Sequence, residues 1–294
     1  MTKLAYVNGT FCDPADAKVS VEDRGFQFGD GVYEVVVSYD DKLFLLDRHL
    51  ARLRRSLEAI DLPYDFEAHP IEPILLEGLR RTGLRDAMVY IQITRGACPR
   101  NHVAPDDITP TTVVTFAPRP TLDDAYRRKG AGVVTVSDDR WANCFVKAIT
   151  LLPNVLAKNR ARRKGYDDAV FVTDSGEVRE CTSANLFVVH AGAILTPPRT
   201  ESVLHGVTQG FVMECAARIG LPVEERRFDN AFLRQADEVF MSSTSVEVLG
   251  ITRVDDQPIG DGTVGPVTMR VHAEFCRSCR ANIEDTAPSQ RLVS

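Results

Sequence analysis

The N-terminal part of the chain switches between strand-like and helix-like apolar spacing. Leu4–Asn8 reads as a strand, and Val32–Tyr39 runs through an Asp40-Asp41 turn into Leu43–Leu46, which predicts a hairpin. Asp47 stands where it can cap the next helix, in which Leu50, Leu53, Leu57 and Ile60 recur at helical spacing before Pro63. A second helix carries Ile74, Leu75 and Leu79 and stops near Gly83. Alternation resumes in Met88–Thr94 and Thr111–Phe116, on either side of a loop rich in Pro, Asn and Asp. Ala117-Pro-Arg-Pro-Thr121 interrupts the pattern, because its prolines remove backbone donors and keep their predecessors out of helical geometry.

Beyond that break short strands dominate: Gly132–Val136, Ala169–Thr173, Val178–Cys181, Leu186–Val189 and Ala193–Thr196, separated by turns such as Asp174-Ser-Gly176 and His190-Ala-Gly192. Helical spacing returns over Val155–Lys164, Val207–Ile219 and Val267–Arg280, and Gly220-Leu-Pro222 ends the second of these. The pattern predicts an α/β (α+β) protein of two domains: a smaller N-terminal α/β domain over 1–117, a linker at 118–121, and a larger strand-rich domain over 122–294. The polar tail after Asn282 is expected to fray.

A length of 294 residues exceeds what one core usually supports, which agrees with two domains. With 44% apolar and 26% charged residues the balance is that of an ordinary globular protein. No apolar run approaches the roughly 20 residues needed to span a bilayer, and the N-terminus carries no long apolar signal core, so no membrane partner and a cytoplasmic location are expected. The net charge of −6, with Arg52-Leu-Arg-Arg55 and Arg160-Ala-Arg-Arg-Lys164 set in helical patterns, gives no footprint for nucleic acid. Seven irregularly spaced cysteines without a secretion signal argue for reduced thiols.

Several segments carry chemistry. In Glu22–Val36 three glycines, Gly25, Gly29 and Gly31, force a tight turn that feeds Tyr33 into an apolar strand. Lys147 lies in the apolar run Cys144-Phe-Val-Lys-Ala-Ile149; its amine either reaches water or is buried as the nucleophile that forms a Schiff base with an aldehyde cofactor. Glu180 ends a strand before the compact run Thr182-Ser-Ala-Asn185, and is either a rim carboxylate or the partner of a protonated pyridine nitrogen. Val203-Leu-His-Gly206 leads into a helix beginning at Val207-Thr208, and amides at a helix start suit a phosphate. Ser243 and Thr244, in the hydroxyl-rich stretch Met241–Ser245, could add donors and Arg52 could add charge, although periodicity sets Arg52 only at the border of its helix's apolar stripe. Arg100 and His102, two apart in a proline-containing loop, form a planar-cation and imidazole pair suited to a carboxylate, with Tyr33 a further donor. His272, Cys276 and Cys279 share a helix face, but no second pair supplies a closed zinc site, so packed thiols and no metal are expected.

Together, Glu22–Val36, Thr94–His102, Lys147, the ordered run Glu180–Phe187, Thr196 and Leu204-His-Gly-Val207 resemble the fold-type IV pyridoxal phosphate aminotransferases, over nearly the whole length and most closely the branch acting on D-amino acids. The resemblance implies pyridoxal 5'-phosphate as cofactor and a barrel-like larger domain. It also implies that Lys147 holds the cofactor covalently and shuttles the substrate proton, that Glu180 meets the pyridine nitrogen and that Leu204 packs on the ring. Arg52, the amides of Val207 and Thr208, Thr244 and Ser243 would hold the phosphate, while Tyr33, Arg100 and His102 would trap the substrate carboxylate. A homodimer is implied in which the Arg100/His102 loop completes the neighbour's site. The implied reaction takes an amino group from a D-alanine-like amino acid to 2-oxoglutarate. Alternatives on the same scaffold are a branched-chain L-aminotransferase, an (R)-amine transaminase and an aminodeoxychorismate lyase; a non-catalytic phosphate-ligand binder is a rival of another class. Gln209 and Cys181 depart from the family pattern, with effects expected on cofactor affinity.

Overall fold

The computed structural model describes residues 3–285. The chain forms two compact units: residues up to Pro120 together with Val146–Thr150, and Thr121–Phe145 with Leu151–Ala281.

In the first unit β1 (Leu4–Val7), β2 (Thr10–Cys12), α1 (Arg24–Phe28), β3 (Gly31–Tyr39), β4 (Lys42–Leu43), α2 (Leu46–Glu58), α3 (Ile71–Thr82), β5 (Ala87–Thr94) and β6 (Thr111–Pro118) follow in order. The strands build an antiparallel sheet in the order β2-β1-β6-β5-β3-β4. Helix α2 packs on β3, and α3 packs on β1 and β6. Both helices present their leucines inward; Leu53, Leu57, Leu75 and Leu79 are buried.

Two local expectations differ from the structure. The strand foreseen at Leu43–Leu46 stops after Leu43, and α2 opens from Leu45 in the left-handed region (φ 53°) with no side-chain cap, so Asp47 lies inside the first turn. There its charge complements the helix dipole in place of capping. The glycine-rich turn is a single helical turn, α1, capped by the Asp23 carboxylate on Gly25 N–H and closed by Gly29 at φ 69°, a conformation that favours glycine.

The second unit contains α4 (Asp124–Lys129), β7 (Ala131–Ser137), α5 (Leu152–Arg163), β8 (Asp168–Val172), β9 (Val178–Cys181), β10 (Asn185–His190), β11 (Ala193–Thr196), α6 (Val207–Arg218), β12 (Val223–Glu225), α7 (Asn230–Arg234), β13 (Glu238–Ser243), β14 (Glu247–Val254), β15 (Gln257–Pro258) and α8 (Pro266–Asp285). Its mixed sheet runs β12-β11-β10-β13-β14-β7-β8-β9, with β15 on β14. The sheet curls until β9 also touches β10, which gives the barrel-like form. Val133, Val170, Leu186, Val188, Met241 and Ile251 are among the residues that fill its core.

All seven cysteines are free thiols. Cys181 is buried in the second unit's core. Among the described residues no helix is long and apolar enough to cross a membrane. The tail expected to fray extends beyond the described residues.

Candidate active site

In the first unit the segment Val146–Thr150 runs along the edge of β3. Tyr33 N–H donates to the Lys147 carbonyl at 2.9 Å, Ile149 N–H donates to Gly31 O at 3.1 Å, and Val32 bridges Ala148. Ser56 Oγ of α2 accepts from Lys147 N–H at 3.2 Å. Backbone bonds thus fix where the lysine begins, and its Nζ ends 4.1 Å from the centre of the Tyr33 ring. Tyr33 is half-buried and stacks on Tyr90 at 5.5 Å. Burial and the neighbouring Tyr33 push the Tyr90 hydroxyl up to about 12.

The opposite face of β3 carries Glu34, fully buried. Arg52 meets it with two parallel bonds, Nε to Oε1 at 2.7 Å and Nη2 to Oε2 at 2.9 Å, and His49 Nδ1 lies 2.9 Å from Oε2. Burial alone would raise the Glu34 carboxyl, but the Arg52 charge and bonds, with the His49 bond, hold it well below the usual carboxylate range. Burial pushes His49 below its ordinary value, so the neutral ring donates from Nδ1 to Glu34. Sequence reasoning found Arg52 but missed Glu34 and His49. The available signal was an acid inside an otherwise apolar strand, followed by a His and an Arg three apart on one helix face.

Arg100 and His102 are exposed. Both lie beside Phe28, the Arg100 guanidinium carbon 4.4 Å from the ring centre and the His102 ring centre 5.5 Å away. Arg24, which sequence reasoning missed, holds their loop through backbone oxygens: Nη1 donates to Asn101 O at 2.5 Å and Nη2 to His102 O at 3.0 Å. Its Nε donates to Asp30 Oδ2, which also accepts from Arg95. No hydrogen bond or ring contact joins Arg100 or His102 to Tyr33 or Lys147 among the described residues.

In the second unit Glu180 is buried at the end of β9. Its Oε1 accepts from Arg140 Nη1 at 2.6 Å, Leu204 N–H lies 3.2 Å from both carboxylate oxygens, and Asn185 Nδ2 donates to Oε2 at 3.2 Å and to Leu204 O at 2.8 Å. Burial raises the Glu180 carboxyl above its ordinary range, with Arg140 and the Leu204 amide pulling the other way. Arg140 restrains it only partly because the same guanidinium also pairs with Asp138, at 2.8 and 3.0 Å. Arg140 and Asn185 were missed as partners of Glu180; nothing in the spacing announces the Arg140 contact, 40 residues long in sequence, whereas Asn185 stands only five residues on.

Helix α6 starts at Val207 with Gly206 as its cap, so no capping side chain covers its first amides. A Cβ at Gly206 would come within 2.0 Å of Asn185 Oδ1. Gln209 is wholly buried; its Oε1 accepts from Gly206 N–H at 3.3 Å, and its Nε2 donates to Thr196 Oγ1 at 3.1 Å. The residue that departs from the family pattern therefore braces the helix start from within. Ser243 ends β13 and Thr244 begins the turn to β14, with Ser243 Oγ 3.2 Å from Ser245 Oγ.

Taken one by one within their units, these groups suit the parts of pyridoxal phosphate. An uncapped helix start behind a glycine suits the phosphate, a buried carboxyl of raised proton affinity suits a pyridinium, and a lysine tethered by its backbone suits an aldehyde.

The comparisons agree with that chemistry. The model of the amino-transferase class IV family matches residues 31–254. The chain belongs to this family, that of the fold-type IV aminotransferases, and is therefore an aminotransferase. Among curated relatives, it is 37% identical to a D-alanine aminotransferase of Listeria monocytogenes over 92% of this chain and 93% of that one. It is 38% identical to one of Staphylococcus haemolyticus over 94% and 97%. Among solved structures, a T.th. branched-chain amino acid aminotransferase with pyridoxamine 5'-phosphate superposes at a TM-score of 0.87, with 27% identity over 98% of this chain and 96% of that one. The branched-chain enzyme of Escherichia coli gives 0.86, at 27% identity over 94% of each chain.

Proposed function

We propose that the protein transfers the amino group of a D-amino acid such as D-alanine to 2-oxoglutarate, giving pyruvate and D-glutamate. The observation that carries this reading is the Arg100/His102 pair, exposed on Phe28 and ready for a carboxylate, on a chain 37% identical to D-alanine aminotransferases over most of its length.

Pyridoxal phosphate, when bound, supplies an electron sink for the charge left at the substrate Cα. Lys147 would hold the cofactor through its amine, and the same amine would serve as the base that moves the proton of the substrate Cα. Glu180 keeps the pyridine nitrogen protonated; its raised proton affinity makes it a strong acceptor for that N–H. The amides of Val207 and Thr208, with Thr244 and Ser243, would hold the phosphate, and Leu204 would pack against the ring. Arg52 adds positive charge to the phosphate end, its plane fixed by Glu34.

Tyr33, Arg100 and His102 bind the substrate carboxylate. Since Arg100 and His102 have no hydrogen bond to Tyr33 or Lys147 among the described residues, we assign their loop to the neighbour's site in a homodimer. Mixing Lys147→Ala and Arg100→Ala subunits tests this: hybrid dimers regain activity if the loop serves the neighbour and stay inactive if each chain uses its own.

A second reading, a branched-chain L-aminotransferase, is favoured by the solved structures that superpose on this chain. A panel of D- and L-amino acids, followed by loss of the cofactor's visible absorption in the half-reaction, decides. Response to D-alanine and silence with L-leucine support the first reading, and the reverse rejects it. Borohydride reduction with peptide mapping must modify Lys147 in either case.

A further inference from the structure

The last β-hairpin and the last helix bring together three side chains that the transamination chemistry leaves unused. Glu247 opens β14, and His272 and Cys276 lie one turn apart on α8. The ligand atoms Glu247 Oε2, His272 Nε2 and Cys276 Sγ all fall within 4.8 Å of one another. The His272 nitrogen is 3.4 Å from the carboxylate oxygen and 3.5 Å from the sulfur. Cys279, which shares a helix face with the pair in the sequence, is instead buried and takes no part.

Two of the three separations match a tetrahedral ion, and the third, oxygen to sulfur, lies within 4.8 Å. Bonds of about 2.05 Å to nitrogen, 2.1 Å to oxygen and 2.3 Å to sulfur, at tetrahedral angles, set the nitrogen about 3.4 Å from the oxygen and about 3.6 Å from the sulfur. The identity of the shared atom matters as much. A hydrogen-bonded thiol–imidazole–carboxylate relay uses both ring nitrogens, one for each neighbour. Here carboxylate and sulfur converge on the same nitrogen, Nε2, as ligands of a single cation do.

The support behind the ligands points the same way. Arg127 Nη2 donates to Glu247 Oε2 at 2.6 Å, while its Nη1 donates to the Val246 and Val248 carbonyls on either side. That grip orients a carboxylate whose backbone is held at φ 61°, a conformation costly for a residue with a Cβ. Metal-bound carboxylates are commonly braced by such an outer donor. Because His272 and Cys276 stand four apart, their side chains project from one helix face toward the carboxylate.

We propose that Glu247, His272 and Cys276 form a three-ligand site for a borderline-soft divalent cation, zinc in the first place, with water in the fourth position. A thiolate and a carboxylate place two negative charges beside the ion, with Arg127 bracing the carboxylate from outside, and the oxygen–nitrogen–sulfur set favours zinc or cobalt over magnesium or calcium. The ion ties α8 to the turn that follows β13.

The test uses the cofactor-loaded protein, cleared of metal by a chelator and titrated with cobalt(II). One equivalent per chain is expected to give tetrahedral d–d bands in the visible and a thiolate-to-cobalt charge-transfer band, both displaced by zinc. Cys276→Ser abolishes the charge-transfer band, His272→Ala weakens binding at least tenfold, and Cys279→Ser leaves the spectrum intact. Cofactor absorbance reports whether each variant is folded. Zinc should also slow alkylation of Cys276 in the unmutated protein by roughly tenfold or more, mapped by mass spectrometry, while half-buried Cys12 reacts as before. A missing thiolate–cobalt band, a band that survives in Cys276→Ser, or Cys276 alkylation indifferent to zinc each overturns the proposal.

Discussion

Each unit buries a glutamate against an arginine, and the two carboxyls acquire opposite proton affinities. Glu34 has Arg52 in a two-bond grip and His49 as a further donor, and is held well below the ordinary range. Glu180 has one bond from an arginine that also serves Asp138 in two, and burial prevails. Burial opposes ionisation at both; what differs is that Glu34 takes two guanidinium bonds and one from His49, whereas Glu180 takes a single bond from an arginine that Asp138 shares. The same two residue types thus yield a carboxyl held below its ordinary range in one unit and one raised above it in the other.

The largest effect should come from Glu34→Gln. It removes the charge that compensates Arg52 in a buried place, and breaking one side of such a pair costs about 3–5 kcal/mol. Denaturant unfolding measures it, and a loss under about 1 kcal/mol would mean that Arg52 finds another partner. The same change at Glu180 should behave differently. Glu180→Gln keeps an oxygen for Leu204 N–H and Arg140, so stability should move by only about 1 kcal/mol. If Glu180 partners the pyridine nitrogen as proposed, the variant's kcat should fall on the order of 10²-fold or more.

The pH dependence sharpens the contrast, best read on cofactor-stripped protein. The folded pKa of Glu34 is depressed, so its stabilising contribution is present above its ordinary value of 4.5 and is lost as the pH falls through the folded value. The folded pKa of Glu180 is raised, so its contribution is complete below 4.5 and is lost as the pH rises through the folded value. The stability gap between the native protein and Glu34→Gln should therefore close in acid, while the gap for Glu180→Gln should open there. Parallel slopes in the two variants would break the comparison.

Arg24 shows a third use of a buried guanidinium. It pairs with Asp30 on one edge and donates from its two terminal nitrogens to the carbonyls of Asn101 and His102. Arg24→Ala should free the backbone that presents Arg100 and His102 and raise the KM for the amino acid roughly tenfold, equivalent to about 1.4 kcal/mol. Steady-state kinetics with unchanged cofactor absorbance would separate this from loss of the fold.

How much of this was legible depends on the range of the interaction. Helix and strand positions follow from local spacing, and α3, β5, β9 and α6 lie within a residue or two of where the apolar pattern sets them. Lys147 stands out because a lysine in an apolar run needs a reason. The pairing of its segment with β3 could not be read, since the partners lie more than a hundred residues apart and neither side has a strand pattern that demands the other. The helix border drawn at Arg52 overlooked Glu34 for the same reason: an ion pair between a strand and the next helix leaves no periodic trace. Asp47 shows a local misreading, as the chain turns at Leu45 through the left-handed region and leaves the aspartate two positions too late to cap.

Gln209 supplies an uncharged control for both ion pairs, and the smallest of these effects. It is as buried as Glu34, yet it links Gly206 N–H to Thr196 Oγ1 with no charge to compensate. Gln209→Leu keeps the volume, leaves Thr196 Oγ1 its bond to Leu186 O, and removes the reach-back that fixes the cap of α6. Loss of such a reach-back bond costs about 1 kcal/mol, and the loss should not vary with pH between 4 and 8, because no titrating group belongs to the link. If the amides of Val207 and Thr208 bind phosphate, the same variant should also bind the cofactor less tightly, since the amides keep their charge distribution but lose their fixed direction. Cofactor retention on dialysis, compared between Gln209→Leu and the native protein, measures that second effect; tight retention together with the expected loss of stability would show that the helix start is held by the phosphate and not by the glutamine.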